Sequence, residues 1–194
     1  MADATKLVII AASTGGPKVL LDILSSIPQE NPSAIIVIQH MLPSFIDSFA
    51  KRIERHSQLP VSVGTVGMKI QKGAIILAPG GSHLVLVKDA EGALIDLDNS
   101  GPRGGVMPSA DITMATAAPL YRERLMGVIL SGMGRDGVEG FAAIKKMGGS
   151  TVVEDEQSSA IYGMPGRALV QGLADKVLTP TGVAEEIIKF SLRT

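Results

Sequence analysis

Five short apolar segments recur along the chain, and they restrict the fold more than any other feature of the sequence. Each segment is as long as a strand, and its valine, isoleucine, leucine and alanine residues are nearly continuous. A continuous apolar strand is typical of a parallel sheet covered on both faces, because both sides of the strand are then buried. The segments are residues 7–12, 34–38, 74–78, 84–87 and 125–130.

Segments with helical periodicity lie between most of these apolar runs. The first begins at Pro17, a residue type that suits the first turn of a helix, and its apolar residues share one face. Alternating strands and helices predict an α/β fold with a doubly wound, mostly parallel sheet and helices on both faces. Short strands near residues 61–97 predict a small antiparallel extension. The expected helices are residues 17–27, 43–56, 109–121, 136–147, 165–171 and 180–192.

Composition excludes several classes of function. The net charge is -1 and 3% of the residues are aromatic, so we expect no nucleic-acid partner. The chain has no cysteine, which excludes disulfides, thiolate metal sites and a cysteine nucleophile. No apolar run approaches the roughly 18 residues that span a bilayer, and the first residues do not resemble a signal peptide. We therefore expect a cytoplasmic protein without direct membrane insertion.

A serine follows the first predicted strand, in the sequence AASTGG at residues 11–16. Small neighbours suit a sharp strand-to-helix turn that projects a nucleophilic hydroxyl, although Ala11 replaces the first glycine of the Gly-x-Ser-x-Gly pattern. Two other interpretations of Ser13 remain open at this point. It could cap the following helix, or the loop from Ser13 to Gly16 could bind a small anion.

A histidine and an aspartate follow two other predicted strands. His40 comes directly after the most apolar segment and can act as a general base, or it can be a structural histidine. Asp136 lies in the glycine-rich sequence LSGMGRDG at residues 130–137, where backbone N–H groups can face an oxyanion. Asp136 can orient His40, or it can cap the helix that follows.

These three residues are predicted to lie at one edge of the sheet. Ligands of open α/β sheets bind beyond the carboxyl ends of the strands, and each of the three residues follows such an end. We therefore expect Ser13, His40 and Asp136 to form a catalytic triad. Their order along the chain differs from that of α/β hydrolases, but a triad is defined by geometry rather than by order.

Several other residues are candidates for parts of the same site. His83 lies beside a glycine-rich turn and is an alternative base or a substrate contact, and Asp111 is an alternative partner for His40 or a first-turn helix residue. His56 lies among charged residues on a predicted helix and is expected at the surface. The spacing of the histidines fits no metal-ligand pattern, so we expect hydrolysis without a metal or cofactor.

Four methionines fall in the predicted strand-end loops. They are expected either to form an adaptable apolar rim for a substrate helix or to fill gaps in the core. The methionines are Met41, Met107, Met133 and Met164.

At these segments the chain resembles the catalytic domain of the chemotaxis protein-glutamate methylesterase family, CheB. The resemblance spans nearly the whole chain, and the matching segments occur in the order of that family. They are ASTGG (residues 12–16), QHM (39–41), APGG (78–81) with His83, PSAD (108–111), LSGMG (130–134) with Asp136 and Gly137, and YGMP (162–165).

The resemblance implies a role for each matched residue. It implies that Ser13 is the nucleophile, His40 the base and Asp136 its orienter, with Thr14 and the Met133 backbone completing the site. It also implies a substrate and a reaction: hydrolysis of glutamate methyl esters on the cytoplasmic helices of methyl-accepting chemotaxis receptors, with release of methanol. Some members also deamidate receptor glutamine.

The resemblance bears on domain organisation as well. Members of this family usually begin with a phosphoryl-accepting receiver domain, whereas this chain starts directly at the first predicted catalytic strand. We expect residues 1–194 to form a single methylesterase catalytic domain with no receiver domain, which is either a stand-alone esterase or a domain of a longer protein.

Two functions from other classes compete with the hydrolase. One is a phosphate- or nucleotide-binding module that uses the loop from Ser13 to Gly16. It lacks the glycine and lysine signatures of nucleotide loops and gives His40 and Asp136 no shared role. The other is an inactive domain that docks receptor helices.

Overall fold

A computed structural model describes residues 4–90 and 92–193. The first part of the chain forms β1 (Leu7–Ala12), α1 (Gly16–Ser25), β2 (Ala34–Gln39), α2 (Pro43–Glu54), β3 (Val61–Val63), β4 (Ile75–Leu77), β5 (His83–Lys88) and β6 (Ala93–Asp98). The second part forms α3 (Ala110–Tyr121), a 3₁₀ helix (Arg122–Arg124), β7 (Leu125–Ile129), α4 (Val138–Lys146), β8 (Ser150–Glu154), α5 (Gly163–Val170), β9 (Lys176–Leu178) and α6 (Pro180–Leu192).

Within the described residues, seven strands form one sheet in the order β3-β4-β2-β1-β7-β8-β9, and all neighbouring strands are parallel. The predicted fold class is confirmed. The antiparallel extension is the hairpin of β5 and β6. The short strands β3 and β4, which also lie in residues 61–97, join the parallel sheet instead. The apolar segment at residues 84–87 belongs to the hairpin and not to the parallel sheet.

The two faces of β1 belong to two different cores. Ile9 packs in the core that contains apolar residues of α3, α4 and α5 and of the hairpin. Ile10, on the opposite face, packs with apolar residues of α1, α2 and α6. Every residue of β1 is buried, which explains why its sequence is apolar throughout.

The order of the strands places a crevice at the carboxyl end of β1. The chain passes from β1 to β2 on one side, and β7 pairs with β1 on the other side, so the strand order reverses at β1. Such a reversal opens the sheet edge for a ligand. In the described part of the chain, no helix is both long and apolar enough to cross a membrane.

Candidate active site

Ser13 lies at the carboxyl end of β1, where the chain turns into α1. Its N–H donates to Ser131 O (3.0 Å), and its carbonyl accepts from the Gly16 N–H (2.9 Å), so the backbone is held on both sides. Gly15 closes the turn with φ of 85°, a left-handed conformation that favours glycine. Gly15 also occupies the N-cap position of α1, without a side-chain hydrogen bond. The helix-cap interpretation of Ser13 is therefore wrong.

His40 follows β2 and leaves the sheet at the same edge as Ser13. The register of β1 and β2 aligns Ala12 with Gln39, the residues that precede the serine and the histidine. The His40 N–H also donates to Ala12 O (3.0 Å). His40 Nε2 lies 2.8 Å from Asp136 Oδ2, and only 11% of the His40 side chain is exposed. The sheet thus brings the three predicted residues to one edge.

Gln39 links the two strand ends through its side chain. Its Nε2 donates to Ser13 O (3.0 Å) and to His40 O (3.0 Å), and the residue is 3% exposed. One amide therefore fixes the backbone of the serine relative to that of the histidine. The sequence contained one signal of this role, a polar residue at the end of a fully apolar strand, and our sequence interpretation did not use it.

Asp136 is buried and accepts four hydrogen bonds. Besides His40, its donors are the Ser109 hydroxyl (2.7 Å) and the N–H groups of Ala110 (2.7 Å) and Asp111 (3.1 Å), at the start of α3. Burial alone would raise the pKa of Asp136, but the hydrogen bonds from His40, Ser109 and the backbone outweigh it and lower that pKa. The carboxylate is thus ionised at neutral pH beside the His40 ring.

The structure also distinguishes between the interpretations of Asp136 and of Asp111. Gly137 occupies the N-cap position of α4, so Asp136 does not cap that helix. Asp111 lies in the first turn of α3, and its Oδ1 accepts from the Gly140 N–H (2.8 Å). Burial raises the pKa of Asp111 to about 6, and the negative charges of Asp136 and Glu139 act in the same direction. Because His40 binds Asp136, Asp111 is not its carboxylate partner.

His83 is fully buried at the start of β5. Its Nδ1 accepts from the Ser109 N–H (3.0 Å), and its Nε2 lies 2.8 Å from Gly101 O. Both ring nitrogens are therefore occupied, and no face of the ring is open. The expectations that His83 is an alternative base or contacts the substrate are wrong, because the segment around residues 101–109 covers it.

Thr14 follows Ser13 directly, and Met133 follows Gly132, which packs against Ser13. Among the described residues, neither the Thr14 nor the Met133 backbone N–H group donates a hydrogen bond, so both can bind a ligand oxygen. Gly132 brings the second loop close, since a Cβ on it would lie 2.8 Å from the Ser13 Cβ. The absence of a side chain at Gly132 is what allows the two loops to pack together.

Ser131 and Glu154 form hydrogen bonds that hold these two loops in place. The Ser131 hydroxyl donates to Thr14 O (2.8 Å) and accepts from the Ile161 N–H (3.0 Å), and the Ser131 N–H donates to Glu154 Oε2 (2.7 Å). Glu154 is fully buried, and its Oε1 accepts from the Ser158 hydroxyl (2.9 Å). The sequence interpretation did not identify Glu154, because it did not identify the strand that ends with it.

A cavity of about 280 Å³ opens beside the His40 ring. Glu139 forms ion pairs with Arg103 and Arg135 at its wall, each at 2.9 Å. The cavity is lined by His40, Arg103, Gly104, Val106, Asp111, Met133, Gly134, Arg135, Asp136 and Glu139.

The four methionines do not share one environment. Met133 is 76% exposed and lines the cavity, as expected for an apolar rim, whereas Met164 is fully buried in α5 and packs in the core. Met41 and Met107 are half-buried. Leu42 and Phe45, at the start of α2, are also exposed.

His56 is exposed, as expected, with its Nδ1 2.8 Å from Arg52 O. In the ranges that the structure covers, no group of three or more histidine, aspartate or glutamate side chains is placed to hold a metal ion.

Comparison with known proteins identifies related sequences and a related structure. The family model described as CheB methylesterase matches residues 8–187. A protein-glutamate methylesterase/protein-glutamine glutaminase of Symbiobacterium thermophilum is 40% identical over 184 residues, which are 95% of this chain and 50% of that protein. A protein of the same name from Pyrococcus horikoshii is 40% identical over 182 residues, 94% of this chain and 50% of that protein. The chain spans about half the length of these curated relatives.

The fold has a close counterpart among solved structures. The crystal structure of the Thermotoga maritima CheB methylesterase catalytic domain has a TM-score of 0.93 and 35% sequence identity, and the match covers 97% of this chain and 99% of that one. A family model that matches residues 8–187, and a structural match over nearly all of both chains, lead to one conclusion. The chain belongs to the CheB methylesterase family.

Proposed function

We propose that the chain is a serine hydrolase that removes methyl esters from glutamate residues of methyl-accepting chemotaxis receptors and releases methanol. We propose further that it deamidates receptor glutamine. The observation that carries this proposal is the buried pair of His40 and Asp136 at the sheet edge where Ser13 follows β1. The family and the names of the relatives support a glutamate methyl ester as the bond that is cleaved.

In the proposed first step, Ser13 attacks the ester carbonyl while His40 removes the proton from its hydroxyl. His40 Nε2 is engaged by Asp136, which leaves Nδ1 as the ring nitrogen that receives this proton. The negative charge of Asp136 stabilises the imidazolium that results. The nucleophile, the base and its orienter thus have separate roles.

The carbonyl oxygen gains negative charge as Ser13 attacks. The N–H groups of Thr14 and Met133 are the proposed donors to this oxygen, since neither donates a hydrogen bond among the described residues and their two loops pack together at Gly132 and Ser13. When the tetrahedral intermediate collapses, the C–O bond to the methoxy group breaks. His40 returns its proton to that oxygen, and methanol leaves.

Water completes the reaction. His40 removes a proton from a water molecule that attacks the acyl-enzyme, and the Ser13 oxygen leaves with the proton from His40. The product is a glutamate carboxylate on the receptor. A glutamine side chain follows the same path, with ammonia as the first product in place of methanol.

The proposed substrate also defines the setting of the reaction. The partner is the cytoplasmic helical region of a receptor, so the activity belongs in the cytoplasm. We propose that this chain acts as the catalytic unit for that reaction. Exposed apolar residues support a protein rather than a small-molecule substrate: Met133 lines the cavity, and Leu42 and Phe45 lie a few residues after His40.

Methanol release from a methylated receptor cytoplasmic fragment tests the proposal. Wild type, Ser13→Ala and the matched control Ser25→Ala, at an exposed serine of α1, are compared at equal folded concentration. We expect release by the wild type and the control and none by Ser13→Ala. Equal release by Ser13→Ala would exclude Ser13 as nucleophile, and no release by the wild type would exclude this substrate.

A further inference from the structure

One buried imidazole contacts both ends of the segment that forms a wall of the cavity beside His40. We call residues 101–109 the cavity loop, because Arg103, Gly104 and Val106 of this segment line the cavity. His83 Nε2 contacts the first residue of the loop, at Gly101 O, and His83 Nδ1 contacts the last, at the Ser109 N–H. His83 thus closes the loop without touching the cavity.

These two contacts define the protonation state of the His83 ring. A backbone N–H only donates, so Nδ1 must carry a lone pair toward Ser109. A carbonyl oxygen only accepts, so Nε2 must carry the proton toward Gly101. The ring is therefore neutral, with its proton on Nε2, and each nitrogen has a different task.

Ser109 connects His83 to the His40–Asp136 pair. Its N–H is bound to His83, and its hydroxyl donates to Asp136 Oδ1 at 2.7 Å. Ser109 also precedes the first turn of α3, whose N–H groups at Ala110 and Asp111 donate to the same carboxylate. A displacement of Ser109 would move three of the four donors to Asp136 together.

We propose that His83 is a positioning residue of the catalytic triad. It holds Ser109 and the start of α3 where they orient the Asp136 carboxylate toward His40, and it touches none of the reacting atoms. The inference rests on the proposed function for its kinetic readout. Its spectroscopic readout is independent of any substrate.

Two substitutions separate the tasks of the two ring nitrogens. In His83→Asn the amide oxygen can take the place of Nδ1 and accept from the Ser109 N–H, but nothing reaches Gly101 O. In His83→Gln the amide nitrogen can take the place of Nε2, but the acceptor for Ser109 is lost. The matched control is His56→Gln, at the exposed histidine near the end of α2.

The rate at which a serine-directed phosphonate labels Ser13 measures the triad without a receptor. We expect His83→Gln to slow labelling about 10²-fold, the effect of roughly 1 Å of misplacement, and His83→Asn to slow it no more than about tenfold. His56→Gln should match the wild type. Equal rates for His83→Gln and wild type, or equal slowing of both His83 variants, would overturn the proposal.

Nitrogen NMR of the imidazole rings provides the second readout, and the chain has only three histidines to assign. We expect the His83 proton on Nε2, and His40 ring signals that shift in His83→Gln but not in His83→Asn. A proton on Nδ1, or unchanged His40 signals in His83→Gln, would overturn the proposal. If the phosphonate does not label Ser13 in the wild type, the proposal that Ser13 is the nucleophile is wrong. The NMR result then still decides the role of His83. If His83→Gln does not fold, the wild-type tautomer and the His83→Asn rate decide it.

Discussion

The Nε2 atom of His40 lies 2.8 Å from Oδ2 of Asp136, so the aspartate engages the far nitrogen of the ring. In the proposed mechanism, the nitrogen nearer the backbone, Nδ1, exchanges protons with Ser13. The short reach from Cβ to Nδ1 suits this arrangement, because Ser13 and His40 leave adjacent, paired strands.

Replacing Asp136 with asparagine is expected to lower kcat for ester hydrolysis by about 10⁴-fold. The amide group would donate to His40 Nε2 and force the ring proton onto Nδ1, where it blocks proton transfer from Ser13. Initial rates with a methylated receptor fragment would measure the loss. Asp22→Asn, at an exposed aspartate of α1, is the control. Activity above a tenth of the wild-type value would contradict the assigned role.

The Ser13 and His40 side chains are expected to act as one unit. Ser13→Ala and His40→Ala should each reduce kcat by roughly 10⁶-fold, and the double variant should lose little more. Each substitution alone removes the proton transfer that activates the nucleophile. Steady-state rates of the three variants, at equal folded concentration, provide the measurement. Losses that multiply in the double variant would mean that the two residues act in separate steps.

Adding a methyl group at Gly132 should displace the nucleophile. A Cβ there would lie 2.4 Å from Met164 Sδ and 2.8 Å from Ser13 Cβ. The methionine can move, but Ser13 is held by its backbone, so we expect Gly132→Ala to lower kcat about 10²-fold. Kinetics and thermal unfolding of Gly132→Ala and of Gly182→Ala, in α6, test this. Full activity of Gly132→Ala would show that the two loops are not tightly packed in solution.

Removing the acceptor that Glu154 offers to Ser131 should loosen the loop that contains Ser131, Gly132 and Met133. Glu154→Leu would leave the buried Ser131 N–H without a partner, which costs about 1–3 kcal/mol of unfolding free energy. We also expect kcat to fall, because Ser131 precedes Gly132 and Met133. Glu154→Gln is the matched variant, since its oxygen can still accept from Ser131 while its nitrogen donates to Ser158. Denaturant unfolding should show that Glu154→Gln is more stable than Glu154→Leu, and kinetics should show that it has the higher kcat. The reverse order would refute this role of Glu154.

Asp111 is expected to make stability depend on pH. Its pKa is about 6 in the folded protein against an ordinary value of 3.8, so the folded state binds more protons between these values. The stabilisation that protonated Asp111 adds to the free energy of unfolding is complete below about pH 4. It is lost as the pH rises through about 6. Asp111→Asn should therefore be more stable than wild type at pH 7.

The expected gain of Asp111→Asn is about 1 kcal/mol, reduced by solvent screening because the side chain is partly exposed. The gain should vanish toward pH 4. Urea unfolding of both proteins between pH 4 and pH 8 measures it, and Asp22→Asn provides an exposed control. Parallel stability curves for wild type and Asp111→Asn would contradict the raised pKa.

Local sequence signals were sufficient for most of the fold. The six predicted helices correspond to α1–α6, since proline, serine or aspartate at their starts and apolar periodicity marked them, and their ends differ from the predicted ones by at most two residues. The central strands were visible because both of their faces are buried. Two strands of the sheet could not be recognised from the sequence. β8 has only a short apolar run, which follows two glycines, and β9 has three residues, none of them buried.

The placement of side chains at the sheet edge was predictable only where a single residue after a strand carried the signal, as Ser13, His40 and Asp136 did. The supporting residues did not, since Ser109 reaches Asp136 across 27 positions and Glu154 reaches Ser131 across 23. Contacts of this kind depend on the folded arrangement of separate elements. His83 was misinterpreted for the same reason, because its glycine-rich neighbours gave no sign of the loop that covers it.

The amide of Gln39 fixes the main chain of Ser13 and His40, and not their side chains. Removing the nucleophilic hydroxyl should therefore leave the spacing of the emptied site unchanged. If the proposed function is right, we expect Ser13→Ala to bind a methylated receptor helix without converting it to product, so that the complex can be captured. Its complex with such a helix is the route to seeing how a folded protein presents one glutamate ester to this sheet edge.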